Sequence, residues 1–274
     1  MTRTDTTKSN HPQQRRHAEV TPTLKSILKR LKLSGLLEVL PSRAQHARDQ
    51  RQDPLDFLEL ILQDEIERRD HRNITLKTQR ANLDPTLTMH TYQWDTHVTL
   101  DTHHAKDLLT LNFLHRHEDV ILQGPTGTGK THLATAIAHH ALHHAITTHF
   151  TRADHLFKHL QRSRADNTTE KTFRTYTTPQ LLIIDDFGLQ PLTPQQSSDL
   201  YELILERHKR TSTIITSNRH VDEWIPLFHD PLLAQSALDR LAHNAHQLTH
   251  QGDSYRTKQR PTLDNTPKNM HNQQ

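Results

Sequence analysis

The chain has 274 residues, no cysteine, 25 histidines and a formal charge of +3. The missing cysteines exclude disulfides and thiol catalysis. No apolar run reaches the length that spans a bilayer and the polar first twenty residues lack a secretory core, so a cytoplasmic protein without membrane contact is expected.

The charge is unevenly spread. Residues 1–80 hold 16 Lys and Arg against 11 Asp and Glu, a balance of +5, which leaves −2 for the rest. A basic N-terminal segment suits a polyanion such as DNA. Only 32% of residues are hydrophobic, low for a globular chain, which points to a long polar segment.

Residues 1–20 read as a disordered polar tail. A small all-helical domain is expected over 21–80. Thr21-Pro22 marks a helix start, with proline at the first helical position. Leu24, Ile27, Leu28 and Leu31 recur at helical spacing. Gly35 is expected to break or end that helix, and Leu36, Leu37 and Leu40 extend the stripe to Pro41. Asp53 as N-cap and Pro54 at N1 start a second helix. Its apolar face is Leu55, Leu58, Ile61 or Leu62, and Ile66, and its end is basic: Arg68, Arg69, Arg72, Lys77 and Arg80. Residues 81–118 form a connector in which Tyr92 or Trp94 could stack on a nucleotide base or simply pack.

A second, larger domain is expected over 119–260. Strands are predicted at Val120–Gln123, Thr147–Phe150, Leu181–Asp185, Thr213–Thr216 and Ala245–Thr249. Helices are predicted over 130–145, 153–164, 194–210 and 234–243. That alternation marks an α/β fold with a mainly parallel sheet. A polar tail follows over 261–274.

Gly124-Pro125-Thr126-Gly127-Thr128-Gly129-Lys130-Thr131 is a complete phosphate-binding loop. The chain has six glycines and three lie in this window. They let the main chain turn its N–H groups onto a polyphosphate. Lys130 supplies charge to the β- and γ-phosphates, and Thr131 offers a hydroxyl to Mg²⁺. The flanks fit, with an apolar strand before and an Ala-rich helix start after.

Leu181–Ile184 is a buried strand followed by Asp185 and Asp186, at the strand end where open α/β sheets bind ligands. Asp185 is expected to hold Mg²⁺, directly or through water. Asp186 is placed to polarise the attacking water, as general base or orienting group. Asn218 ends another apolar strand and could bond the γ-phosphate or that water. Arg240 is a candidate arginine finger acting on a neighbouring subunit's ATP.

Lys158, Arg162 and Arg164 on or just after one helix, with Lys171 and Arg174 in the next loop, are candidate DNA-phosphate contacts. Arg207, Lys209 and Arg210 form a second such cluster. His139, His140, His143 and His144 have i,i+4 spacing. Without partner carboxylates or cysteines, and with histidine scattered along the whole chain, they read as compositional bias rather than a metal site.

The motifs occur in a specific order: Gly-Lys-Thr-His-Leu-Ala (129–134), Leu-Ile-Ile-Asp-Asp-Phe-Gly (182–188), Ile-Ile-Thr-Ser-Asn (214–218), Leu-Asp-Arg-Leu (238–241) and Gly-Asp-Ser-Tyr-Arg (252–256). Together they resemble the IstB-like ATP-binding proteins, AAA+ helpers of insertion-sequence transposition and relatives of the DnaC helicase loaders. Leu-Lys-Leu-Ser-Gly-Leu-Leu-Glu (31–38) and Asp-Pro-Leu-Asp-Phe-Leu (53–58) resemble the helical module of the same family, so the likeness covers about 21–260. It implies an AAA+ three-layer sandwich and an ATP-dependent homo-oligomer that binds and deforms DNA and presents it to a transposase. It also implies Lys130 and Thr131 as phosphate and Mg²⁺ ligands, Asp185 as the magnesium acid, Asn218 as sensor and Arg240 as the trans-acting finger. Arg256 is shared without an assigned role. A DnaC-like replicative helicase loader is the alternative. Many AAA+ ATPases carry Glu where this chain has Asp186, and the shorter arm implies slow turnover. Only 18 polar residues follow Arg256, so no C-terminal helical lid is expected.

Overall fold

The computed structural model describes residues 20–94 and 98–252. The 1–20 tail but for its last residue, the 261–274 tail, and Asp253 to Arg256 of the last shared motif lie outside the described residues. The chain divides into two compact units, Met1–Thr75 and Leu76–Gln274.

In the first unit, α1 spans Pro22–Arg30, α2 Leu36–Asp49 and α3 starts at Pro54 and runs to Arg80. The expected starts are seen. Thr21 accepts a bond from the Leu24 N–H, and Asp53 accepts one from the Leu55 N–H at 2.8 Å. Two expectations are corrected. The first helix stops at Arg30, with Lys32 at φ 57°, and Gly35 is instead the N-cap of α2. Pro41 does not end the stripe but lies inside α2, where its missing N–H leaves the Leu37 carbonyl without its i+4 donor.

The small core of this unit is Leu28, Leu36 and Ile61, with Leu33, Leu37, Leu40 and Phe57 against it. The predicted apolar faces are mostly exposed. Leu24, Ile27 and Leu31 on α1 and Leu55, Leu58, Leu62 and Ile66 on α3 face solvent, with Leu55 at 74% exposure. Three buried side chains are too few to cover two amphipathic helices. The basic excess is partly neutralised within the unit. Arg43 pairs with Asp64 at 2.9 Å, and buried Glu65 accepts from both Arg68 and Arg69. Those guanidinium bonds hold the Glu65 carboxyl below the usual range.

The second unit is built on a five-stranded parallel sheet. In chain order its elements are β1 (Val98–Thr99), α4 (Thr102–Leu108), α5 (Asn112–His115), β2 (Asp119–Gln123), α6 (Lys130–His143), β3 (Thr148–Arg152), α7 (Ala153–Ala165) and α8 (Thr169–Thr177). They continue with β4 (Leu181–Phe187), α9 (Pro194–Arg207), β5 (Ser212–Ser217), α10 (Pro231–His243), β6 (Ala245–Thr249) and β7 (Gln251–Gly252). The sheet order is β3-β4-β5-β2-β6, and β1 pairs antiparallel with β7 apart from it. All five predicted strands lie in the large sheet.

Period-two alternation makes the three layers. Val120, Leu122, Leu181, Ile183 and Ile214 face one core with Leu133, Ile137 and Ala141 of α6. Ile121, Leu182, Ile184 and Ile215 face the other with Leu156 and Leu160 of α7, Leu203 of α9 and Leu238 of α10. The α/β fold with a mainly parallel sheet expected from the sequence is the fold observed. Residues 81–118 are no loose linker. Ala81, Leu83, Leu108 and Phe113 are buried in the α6-side core, and His139 bonds the Asp84 carbonyl.

Arg207 is a third correction: a candidate DNA contact by its sequence, it is 2% exposed. Its guanidinium donates to Thr213 Oγ1 and to the carbonyls of Tyr176, Thr177, Pro179 and Ser212. Helix ends leave carbonyls without intrahelical partners, and Arg207 supplies them for α8. Asp119 lies in the same buried network, accepting from the Thr213 N–H at 2.7 Å. Burial pushes its carboxyl up to about 7 and the Arg207 guanidinium down to about 10, each restrained by the other's charge.

Candidate functional site

β5 lies between β2 and β4, so the parallel arrangement brings three strand ends together. Gln123 leads into the Gly124–Thr131 loop, Asp185 and Asp186 end β4, and Ser217 and Asn218 end β5. Residues nearly a hundred positions apart thus share one edge, the edge where open α/β sheets bind ligands.

The loop has the backbone its glycines allow. Gly124, Gly127 and Gly129 have φ of 135°, 84° and 90°. Gly124 is also sterically required, because a Cβ there would lie 2.1 Å from the His250 carbonyl oxygen. Lys130 is the first residue of α6, and its Nζ donates to the Gly124 carbonyl at 2.7 Å and the Pro125 carbonyl at 2.6 Å. Its charge is therefore held inside the loop at the positive end of a 14-residue helix.

Thr131 Oγ1 donates to Asp185 Oδ1 at 2.8 Å. Thr216 Oγ1 donates to the same oxygen at 2.6 Å and accepts from the Asp186 N–H at 3.0 Å. Burial raises the Asp185 carboxyl above its ordinary value; the two hydroxyls oppose that rise and the neighbouring Asp186 charge adds to it. A carboxylate burdened by desolvation and by a like charge, ringed with hydroxyl oxygens, is a donor set suited to a hard divalent cation.

Asp186 has φ 56°, a left-handed conformation that Asp tolerates better than most residues. Its carboxylate is 44% exposed and lies 3.4 Å from the Arg152 guanidinium at the end of β3. Beside it lies a cavity of about 290 Å³ lined by Arg152, Lys158, Asp186, Phe187 and the 188–192 turn. Asn218 is exposed just beyond the buried Ser217, whose hydroxyl donates to the Phe187 carbonyl. Tyr92 is near the loop, 3.6 Å from a Cβ built on Gly129, and packs edge-on against Trp94 and His132. Its surroundings bury the phenol and push it up to about 12.

Arg240 is not part of this cluster. It lies in the last turn of α10, five residues before β6 starts beside Asp119, at the strand-start edge of the sheet. The phosphate loop follows the opposite ends of the strands. The Arg240 guanidinium bonds the Ser236 carbonyl at 2.7 Å and lies over the Tyr201 ring.

The basic candidates divide. Lys158, Arg162, Lys171 and Arg174 are exposed. Lys158 pairs with Asp154 and Arg174 with Glu170, i,i+4 contacts of the weak surface kind. Arg164 is instead tied to Asp199, which is buried, so its charge is used within the fold. Lys171 and Arg174 were expected in a loop but lie on α8, whose apolar face buries Thr172 and Tyr176 against α7 and α9. Thr216, Arg152 and His250 escaped the sequence reading. A polar residue in the apolar run Thr213–Ser217 was a signal for Thr216; nothing local distinguished the other two.

The family model for IstB-like ATP-binding proteins matches residues 26–262. The chain belongs to that family. A putative ATP-binding protein in an insertion sequence of Mycobacterium tuberculosis is 36% identical over 241 residues, covering 88% of this chain and 96% of the relative. The putative ATP-binding protein of insertion sequence IS21 from Pseudomonas aeruginosa is 31% identical over 237 residues, covering 86% and 89%. Among solved structures, the DnaC helicase loader superposes with a TM-score of 0.51 at 21% identity, over 61% of this chain and 98% of that one. The replication initiator DnaA bound to AMPPCP and single-stranded DNA gives 0.52 at 18% identity, over 62% and 51%. At such identities these two likenesses concern the fold. Among the described residues of this IstB-like chain, no helix is long and apolar enough to cross a membrane.

Proposed function

We propose that this IstB-like protein is an ATP hydrolase that assembles on DNA under nucleotide control and helps the transposase of its own element capture target DNA. The observation that carries the reading is the Thr131–Asp185–Thr216 cluster beside the Lys130 loop, with Arg240 at the far edge of the same sheet. One chain holds phosphate-binding and water-activating groups but keeps its candidate finger away from them. A complete site then needs two subunits, which makes assembly and hydrolysis one event. The two named relatives come from insertion sequences, which favours a transposase over a replicative helicase as partner.

In this reading the loop N–H groups and Lys130 bind the β- and γ-phosphates. Thr131 and Asp185 hold Mg²⁺, which when bound neutralises charge on the phosphate oxygens. Asp186 accepts a proton from, or orients, the attacking water, with Arg152 fixing its carboxylate. Asn218 contacts the γ-phosphate or that water. Asp186→Asn keeps the shape and removes the base. ATP should still bind, assemblies should persist on DNA, and turnover should fall by roughly 10²-fold or more. Steady-state phosphate release with a binding titration alongside tests this; unchanged release places the base elsewhere.

The DNA contacts are backbone contacts made by exposed Lys158, Arg162, Lys171 and Arg174 and by the basic N-terminal segment. Fluorescence anisotropy with unrelated duplexes, with and without ATP, should give binding that needs nucleotide and falls linearly with salt on a log–log plot. A flat salt response or a strong preference for one sequence counts against the proposal. Co-purification with the element's transposase, dependent on DNA and ATP, tests the partner.

A further inference from the structure

His250 follows β6 and is completely buried beneath the phosphate-binding loop. It grips the loop in three ways. Its backbone N–H donates to the Gln123 carbonyl at 2.7 Å. Its carbonyl oxygen fills the space that a side chain on Gly124 would need. Its ring Nδ1 lies 2.9 Å from the Thr128 carbonyl oxygen. A carbonyl only accepts, so Nδ1 carries the proton. Nε2 is buried and has no hydrogen-bond partner among the described residues. That polar atom has a cost with no structural return, which an apolar residue of similar size would avoid.

We infer that His250 is a positioning residue for phosphate binding: its ring holds the Thr128 carbonyl and thereby turns the Gly129 N–H toward the phosphate side of the loop. In a trans peptide the C=O and N–H point in opposite directions. Fixing the Thr128 carbonyl against the ring therefore aims the Gly129 N–H away from it. The left-handed backbone at Gly129, φ 90°, belongs to the same turn. Thr128 Oγ1, bonded to the Pro125 carbonyl at 2.9 Å, closes the loop from the other side. The inference rests on the proposal that this loop binds nucleotide, and adds the residue that sets its shape.

The device works with a neutral ring. Burial and the Lys130 charge at the start of α6 both lower the affinity of His250 for a second proton, while the bond to Thr128 partly offsets them. The neighbours on β2 and β6, Gln123 and Thr249, and those on β7, Gln251 and Gly252, are uncharged. A group with a depressed folded value contributes fully above its ordinary value and loses that contribution as pH falls through the folded one. The contribution of the neutral ring to folding stability is therefore complete above about pH 6.5 and declines below it.

Two full-length variants test the assignment. His250→Leu fills the space but donates nothing. His250→Asn places an amide N–H near the position of Nδ1 and cannot titrate. Affinity for a fluorescent ADP analogue, with melting temperature and circular dichroism of each nucleotide-free protein, is measured from pH 5.5 to 8. At pH 8, His250→Leu should bind about tenfold more weakly or worse, the loss of one well-made polar contact or more. His250→Asn should stay within about threefold of wild type on the same scale. The melting temperature of the wild type should fall below pH 6.5 more steeply than that of His250→Asn, which has no ring to protonate. Wild-type affinity in folded His250→Leu overturns the inference while leaving the nucleotide site intact. If His250→Leu fails to fold, His250→Asn decides alone, and binding more than about tenfold weaker than wild type overturns the inference. A wild-type protein that binds no nucleotide at any pH overturns the proposed function and this inference together.

Discussion

Lys130→Ala is expected to bind ATP at least about 100-fold more weakly than the wild type and to lose nucleotide-dependent assembly. The estimate is two charge-assisted hydrogen bonds to phosphate, each worth about 1.5–3 kcal/mol. The fold should survive. Lys130 Nζ donates to the Gly124 and Pro125 carbonyls, and losing those charge-assisted bonds costs about 1.5–3 kcal/mol each, a drop on the order of 10 °C in melting temperature. Calorimetric titration with ATP, beside a thermal melt, separates the two effects. Wild-type affinity in a folded variant would remove Lys130 from the phosphate site. It would also undercut Thr131, because the two residues occupy one helical turn and serve the same ligand.

For Arg240 the expected effect is larger on rate and smaller on binding. The residue lies at the strand-start edge, bonded to Ser236 and over Tyr201, so its own subunit's phosphates are out of its reach. Arg240→Ala should bind ATP within about threefold of wild type and hydrolyse it roughly 10³-fold or more slowly, the effect of losing a finger. Mixing supplies the test. The Lys130→Ala subunit has a finger and no working loop; the Arg240→Ala subunit has a working loop and no finger. Side by side they form one complete composite site, so activity should partly return. If light scattering shows co-assembly and no activity returns, Arg240 does not act in trans.

Much of this arrangement was legible before any coordinates. The phosphate loop, Asp185 and Asp186 are local patterns: glycines at fixed offsets, then an acid straight after four apolar residues. Backbone sterics and strand burial act over a few residues, so short windows carry them. The central strands β2, β4 and β5 were readable for the same reason, since a strand buried on both faces carries consecutive apolar residues.

Other features arose from packing between distant segments. Arg207 looks in sequence like its neighbours Lys209 and Arg210. It is buried because α8 ends beside it with unpaired carbonyls and Asp119 lies close by. Pro41 reads as a helix end, yet α2 continues through it. The exposed Leu55, Leu58 and Leu62 have the spacing of a core face, but periodicity states which residues share a face and not whether anything covers it.

The sequence by itself determined the family of this protein: a glycine-rich loop ending in Lys-Thr, an acid pair after an apolar strand and an ordered set of motifs specific enough to identify it. Those depend on residue type and short spacing. Only the tertiary structure decided which residues surround them. Thr216 reaches Asp185 because β5 lies beside β4. Arg152 meets Asp186 because β3 ends at the same level. His250 meets the loop because β6 pairs with β2 and ends beside it. Strand order sets each of these contacts, and strand order is fixed by the packing of whole helices onto two faces of a sheet.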